Sequence, residues 1–287
     1  MLKPIAGVAC EDGAEQLCQC LCSIGSVAGG KGPVRGGEVY GGMLGWYIGQ
    51  PFGVFFLMRA GFAHREQRML EITTPRCLLR PMEERDFPAV CRYLQDAEVM
   101  HAWGHTLSDE EVRAWIARQQ DRYATAGYGA LAVTLRSTGE LIGQCGLTMQ
   151  ECLGVSPLED DEASPEPVAA GASPSERPGS GVRDLYVPEV GYMLARAYWG
   201  QGYAVEAAYA CLRMGFASLA LPEIFACIKV GNTASCAVAR RLGMRRCGFF
   251  YKHYRGEDMP HELYGLRAGD LLPRADLEKG YAVTWRC

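Results

Sequence analysis

The chain has 287 residues, 29 of them basic and 33 acidic, and 48% are hydrophobic. That composition is globular, and a net charge of −4 excludes a dominant electrostatic affinity for nucleic acid. Thirteen cysteines, an odd number in a chain long enough to bury a core without cross-links, read as reduced thiols. With no secretory leader in Met1–Cys10, they point to the cytoplasm.

Residues 1–74 read as a loosely structured, Gly/Cys-rich extension. Fourteen of the 35 glycines fall in residues 1–61 and break any period. The apolar run Met43–Met58 is interrupted by glycines and by Gln50-Pro51. It is also shorter than the ~20 residues a membrane-spanning helix needs. Gly25–Gly32 nearly spells a P-loop, but Gly32 stands where Ser or Thr would hold Mg²⁺. Cys18, Cys20 and Cys22 lack the second pair that completes a zinc site, so no metal is expected.

The folded domain is expected over residues 75–269. Arg76–Arg80 reads as a strand and Asp86–Leu94 as a helix. Ser108 and Glu111 form a capping box, opening a helix with Val112, Trp115, Ile116, Gln119 and Tyr123 on one face. Leu131–Leu135 and Leu141–Met149 form a hairpin about Ser137–Glu140. Residues 152–183 carry five prolines and six acidic side chains, and read as a flexible insertion that buries too little to order itself.

Beyond it, Tyr186–Ala195 is a strand and Tyr203–Leu219 a helix with Val205, Ala208, Tyr209, Leu212, Phe216 and Leu219 inward. Ile224–Lys229 is a strand and Thr233–Leu242 a helix. Gly248–Tyr254 and Glu262–Arg267 are closing strands, and residues 270–287 are a tail. The order predicts a mixed α/β (α+β) domain, with antiparallel hairpins around one strand–helix–strand unit.

Two stretches carry chemistry. In the first, Glu189-Val190-Gly191-Tyr192 leads through Trp199-Gly200-Gln201-Gly202-Tyr203-Ala204 into a helix. A helix start presents free N–H groups and a positive dipole end, and glycines let an anion approach them. In the second, Asn232 and Ser235 open a helix that ends at Leu242-Gly243-Met244, where Asn232 is also a good N-cap and Gly243 a good C-cap.

Together, Glu189/Gly191/Tyr192, Trp199/Gly200/Gly202/Tyr203/Ala204/Glu206/Ala207 and Asn232/Ser235/Leu242/Gly243/Met244 resemble the GNAT superfamily of acetyl-CoA-dependent N-acetyltransferases. Within it, they are similar to the subgroup of ribosomal-protein N-terminal alanine acetyltransferases. The likeness implies a mostly antiparallel sheet flanked by helices, with two central strands splayed. It implies acetyl-CoA as donor and a primary amine, a protein N-terminus or a small molecule, as acceptor, attacked directly in a ternary complex.

By the same likeness Gly200, Gln201, Gly202, Tyr203 and Ala204 would hold the pyrophosphate through backbone N–H groups. Met193, Leu194 and Ala195 would pair with the pantetheine amides, and Asn232 would face the thioester. The sequence departs from the wider superfamily at Ala197, where Gln or Arg is usual, and at Ala239, where a tyrosine often serves as general acid. The acid role then falls to Ser235. An amine must lose a proton to attack, and Glu189 is the candidate base. Glu206, in the first helical turn, reads as structural.

His101, Trp103 and His105 precede the Ser108 cap in the region where the family's acceptor site lies. Cys236 is the one cysteine near the thioester-facing positions. The missing tyrosine at Ala239 keeps open a non-catalytic acyl-CoA sensor of the same fold. A dinucleotide-binding fold is disfavoured, because Val205 replaces the third glycine of its fingerprint.

Overall fold

The computed structural model describes residues 69–157 and 182–286. Its strands are β1 (Met69–Thr73), β2 (Cys77–Arg80), β3 (Ala130–Leu135), β4 (Leu141–Pro157), β5 (Arg183–Leu194), β6 (Glu223–Lys229), β7 (Arg245–Tyr254), β8 (Glu257–Arg267) and β9 (Ala282–Arg286). The helices are α1 (Phe87–Leu94), α2 (Asp109–Ala126), α3 (Tyr203–Ala217), α4 (Thr233–Arg241) and the single turn α5 (Ala275–Glu278). All described strands join one sheet in the order β5-β6-β8-β7-β4-β3-β2-β1-β9. Among the described residues no helix is long and apolar enough to cross a membrane.

Local chemistry sets most boundaries. Ser108 accepts the Glu111 N–H and Glu111 returns a bond to Ser108, so the capping box opens α2. Gly127, at φ 78°, closes it in the left-handed conformation that glycine tolerates. α2 buries Val112, Ile116 and Gln119 beside Val90, Tyr93 and Leu94 of α1, on one face of the sheet. α3 lies on the other face, burying Val205, Ala208, Tyr209 and Leu212, with Phe216 and Leu219 partly covered.

The domain reaches further at both ends than the periodicity indicates. β1 pairs with β2 and, over Met69–Thr73, with β9. Residues 69–73 and 282–286 are therefore sheet strands and not extension or tail. Leu277 joins the core, Glu278 accepts from the Tyr209 hydroxyl, and Arg213 stacks on Tyr281. This segment packs on α3 at Tyr209 and Arg213, while Cys211 faces Cys145 of β4.

The strands around the insertion also run longer than expected. β4 and β5 stay paired from Gly143↔Leu194 to Cys152↔Leu185 and Val155↔Arg183, so 152–157 is strand. The far end of β4 then meets β7, with Ser156 opposite Phe249 and Pro157 opposite Gly248. β4, β5, β6, β8 and β7 thus close a ring around Cys152, Val155, Val187, Phe250 and Leu263. β7 and β8 likewise start before Gly248 and Glu262, at Arg245 and Glu257.

The P-loop-like stretch, the Cys18/Cys20/Cys22 cluster and residues 158–181 lie outside the described residues. Neither 1–68 nor 158–181 holds a motif residue, and closure entropy changes slowly with loop length. A chain starting at Met69, with 158–181 replaced by a short Gly/Ser linker, is expected to melt cooperatively and to bind acetyl-CoA as the full chain does. Thermal melts and titration check this. Cutting the chain at residue 270, which removes β9, is expected to abolish the cooperative melt.

Candidate functional site

β5 and β6 are the parallel neighbours of the sheet, and they meet at one register point, Glu189↔Phe225. Beyond it β6 stays on β8 and β5 stays on β4, so the carboxyl halves of the two strands diverge. Helices α3 and α4 follow these strands, and both N-termini therefore face the wedge. This is the splay expected of the fold.

At the first helix start Gly200 (φ 72°) and Gly202 (φ 82°) are both left-handed, and Gly202 is the α3 N-cap. A Cβ at Gly200 would meet nothing within 4 Å; one at Gly202 would meet only Arg76 Nη2, at 3.5 Å. The open space above these glycines, beside the unpaired N–H groups of Tyr203 and Ala204 in the first helical turn, suits an anion. The residues present therefore fit the pyrophosphate of acetyl-CoA.

The loop is pinned by a buried carboxylate. Glu206, 1% exposed, accepts from Thr74 Oγ1 (2.6 Å), the Arg76 N–H (2.8 Å) and Arg76 Nε (2.6 Å). Arg76 in turn donates to the Gln201 carbonyl (3.0 Å) and lies 4.1 Å from the Tyr203 ring centre. Glu206 thus acts structurally, and Arg76 is a loop contact that the motif spacing did not disclose. Glu206→Ala would leave these donors without their buried acceptor. It should destabilise the domain by ~3 kcal/mol and lower the melting temperature by several degrees in a scanning melt.

On β5 the expected backbone contacts divide. The Ala195 N–H donates to the Ile142 carbonyl, and the Leu194 carbonyl accepts from the Trp199 indole, 2.8 Å each. In an antiparallel ladder successive residues turn their backbone groups to opposite edges. Ala195 and Met193 therefore face β4, whereas Tyr192 and Leu194 face the wedge. For Met193 and Ala195 this corrects the expectation of direct pairing with a cofactor.

Asn232 caps α4, accepting from the Ser235 N–H at 3.1 Å. The Tyr192 hydroxyl donates to the Ser235 carbonyl (2.9 Å), tying the first turn of α4 to β5 across the wedge. Cys236 turns away toward Glu262, 3.7 Å from it, and burial raises its thiol pKa, which disfavours a thiolate nucleophile. Ala239 is fully buried.

Glu189 is half-buried on β5, three residues from Tyr192 and so on the opposite face. Burial raises its carboxyl above the ordinary range; Lys252, the Cys227 N–H at 3.3 Å and Arg122 hold it down. On that face Trp103 meets Tyr254 edge-on, at 5.5 Å between ring centres. His105 stacks on Tyr254, with Nε2 3.3 Å from its hydroxyl. Gln144 accepts from Tyr93 and from the Trp115 indole. Trp103 and His105 are therefore brought together by the end of β7. His101 is not: it is exposed and bound to the Glu98 carbonyl.

A family model, the acetyltransferase (GNAT) domain, matches residues 76–245, more than half of the chain. The chain is similar to YkkB of Bacillus subtilis, 31% identical over 61% of this chain and 84% of that protein. It is also similar to the uncharacterized N-acetyltransferase p20 of Bacillus licheniformis, 25% identical over 68% of this chain and 94% of the other. The crystal structure of a Bacillus anthracis acetyltransferase (GNAT family) covers 69% of this chain and 99% of its own. Its TM-score is 0.50 at 24% identity, which shows the shared fold. The chain belongs to the GNAT acetyltransferase family, whose general activity is acetyl transfer from acetyl-CoA.

Proposed function

We propose that this protein is an N-acetyltransferase that moves the acetyl group of acetyl-CoA to a primary amine by direct attack in a ternary complex. The observation that carries the reading is the wedge between β5 and β6, with a glycine-framed helix start at one side and Glu189 on the strand beside it. The N-acetyltransferase name of the p20 relative supports the amine acceptor. The eight free thiols among the described residues suit a reducing cytoplasm.

Gly200, Gln201, Gly202, Tyr203 and Ala204 bind the pyrophosphate through backbone N–H groups, and the Tyr192–Leu194 edge of β5 lines the pantetheine. Acetyl-CoA supplies the acetyl group as a thioester. Glu189 takes the proton that the amine sheds, directly or through a water, and Lys252, the Cys227 N–H and Arg122 favour its ionised form against burial. Ser235 gives a proton to the departing sulfur, in the place of the tyrosine that Ala239 replaces. Asn232 orients Ser235 through the N-cap bond. Trp103 and His105 line the approach of the acceptor.

The test is CoA-thiol release with acetyl-CoA and a broad panel of amines. Release with at least one amine, dependent on Glu189, supports the reading. Tight acetyl-CoA binding with no release across the panel favours the sensor alternative.

A further inference from the structure

The inference rests on the transferase reading above and narrows its acceptor. Lys252 lies near the end of β7, on the same face as Phe250 and Tyr254. Its Nζ donates to Gln150 Oε1 at 3.1 Å and sits 5.1 Å from the Trp103 ring centre. The side chain is half-buried, yet among the described residues it forms no ion pair with any carboxylate. An ammonium taken partly out of water ordinarily finds an anion, because a cation–π contact and one neutral acceptor replace only part of its hydration.

The surrounding charges sharpen the point. Lys252 and Arg122 both act on Glu189, the candidate base. Burial pushes the His261 imidazole down to about 4, so it is neutral near pH 7. Arg255 is already paired with Glu111. Among the described residues, the acceptor side of Glu189 thus offers one carboxylate for the amine and, in Lys252 and Arg122, cations with no salt bridge, of which Lys252 is the ammonium that reaches Gln150 and Trp103. A polyamine or amino sugar would bring further positive charge against that ammonium. A molecule with an amine and a carboxylate a few atoms apart answers both groups at once, with its amine at Glu189 and its carboxylate at Lys252.

We infer that the acceptor is an amine that carries a carboxylate within a few atoms of its nitrogen, gripped by Lys252. The experiment matches each of the common α-amino acids with its own carboxamide and adds spermidine. It follows CoA release and, separately, calorimetric binding to the CoA-loaded full chain, for the native protein and for Lys252→Met. At least one amino acid should bind and react roughly 10–100-fold better than its carboxamide, the size of one charge-assisted hydrogen bond. That advantage should vanish in Lys252→Met, with acetyl-CoA affinity and melting temperature unchanged.

Equal or better use of carboxamides or spermidine overturns the inference. So does an equal loss for every acceptor in Lys252→Met, which would leave Lys252 with no role beyond tuning Glu189. Lys252-dependent binding of a carboxylate without any turnover would sink the transferase reading, and with it the acceptor assignment, and leave Lys252 as a carboxylate-binding group only. Absence of any carboxylate preference in binding defeats the inference whatever the turnover.

Discussion

Gly202→Val is expected to reduce acetyl-CoA affinity by ~100-fold or more while the domain still folds. Gly202 is the α3 N-cap at φ 82°, a conformation that a β-branched residue adopts only under strain. A valine that relaxes out of it withdraws the first-turn N–H groups from the anion. A valine that stays puts its methyl groups where a phosphate must approach. Both routes remove the charge-assisted bonds and leave the core untouched, because nothing but Arg76 lies near that Cβ. Calorimetric titration with acetyl-CoA, beside a thermal melt, checks it. A folded variant with native affinity would remove the loop from the cofactor site.

Glu189→Gln and Ser235→Ala are expected to lower kcat by ~10²-fold each, with acetyl-CoA affinity little changed. The pH dependence separates them. A base works ionised, and burial raises the Glu189 carboxyl above the ordinary range. The native rate should therefore fall as pH drops through that raised value, at a higher pH than a surface glutamate would give. Glu189→Gln should lose this acidic limb, and Ser235→Ala should keep it at a lower plateau. A variant with native kcat and profile would show that its residue plays no part in the chemical step. Ser235→Ala leaves the Asn232 cap in place, because the capped group is the Ser235 backbone N–H.

The local features were legible in the sequence by itself. The Ser108/Glu111 box, the left-handed glycines that end and begin helices, and the β3–β4 hairpin depend on residues a few positions apart, and they form where short-range chemistry puts them. So does the glycine-framed start of α3, with the family likeness that it carries. The same family likeness put forward Glu189, Asn232 and Ser235 as candidates, and the structure makes Asn232 the N-cap of α4 and sets Glu189 half-buried on β5.

Only the tertiary structure decided which distant residues meet. β1 and β9 are too short and too plain in pattern to announce themselves, and they become strands because each supplies the other's hydrogen bonds. The pairing of β4 with β7 closes a ring that no single segment encodes. Arg76 reaches the glycine-framed loop from 125 positions away. Lys252 comes to Trp103 and Glu189 from separate elements. His101 reads like His105 in the sequence, yet it turns to solvent, because the end of β7 gives a partner to one and not the other. Short-range bonds are specified by spacing along the chain. Contacts across the sheet exist only after burial has fixed the register of every strand between them.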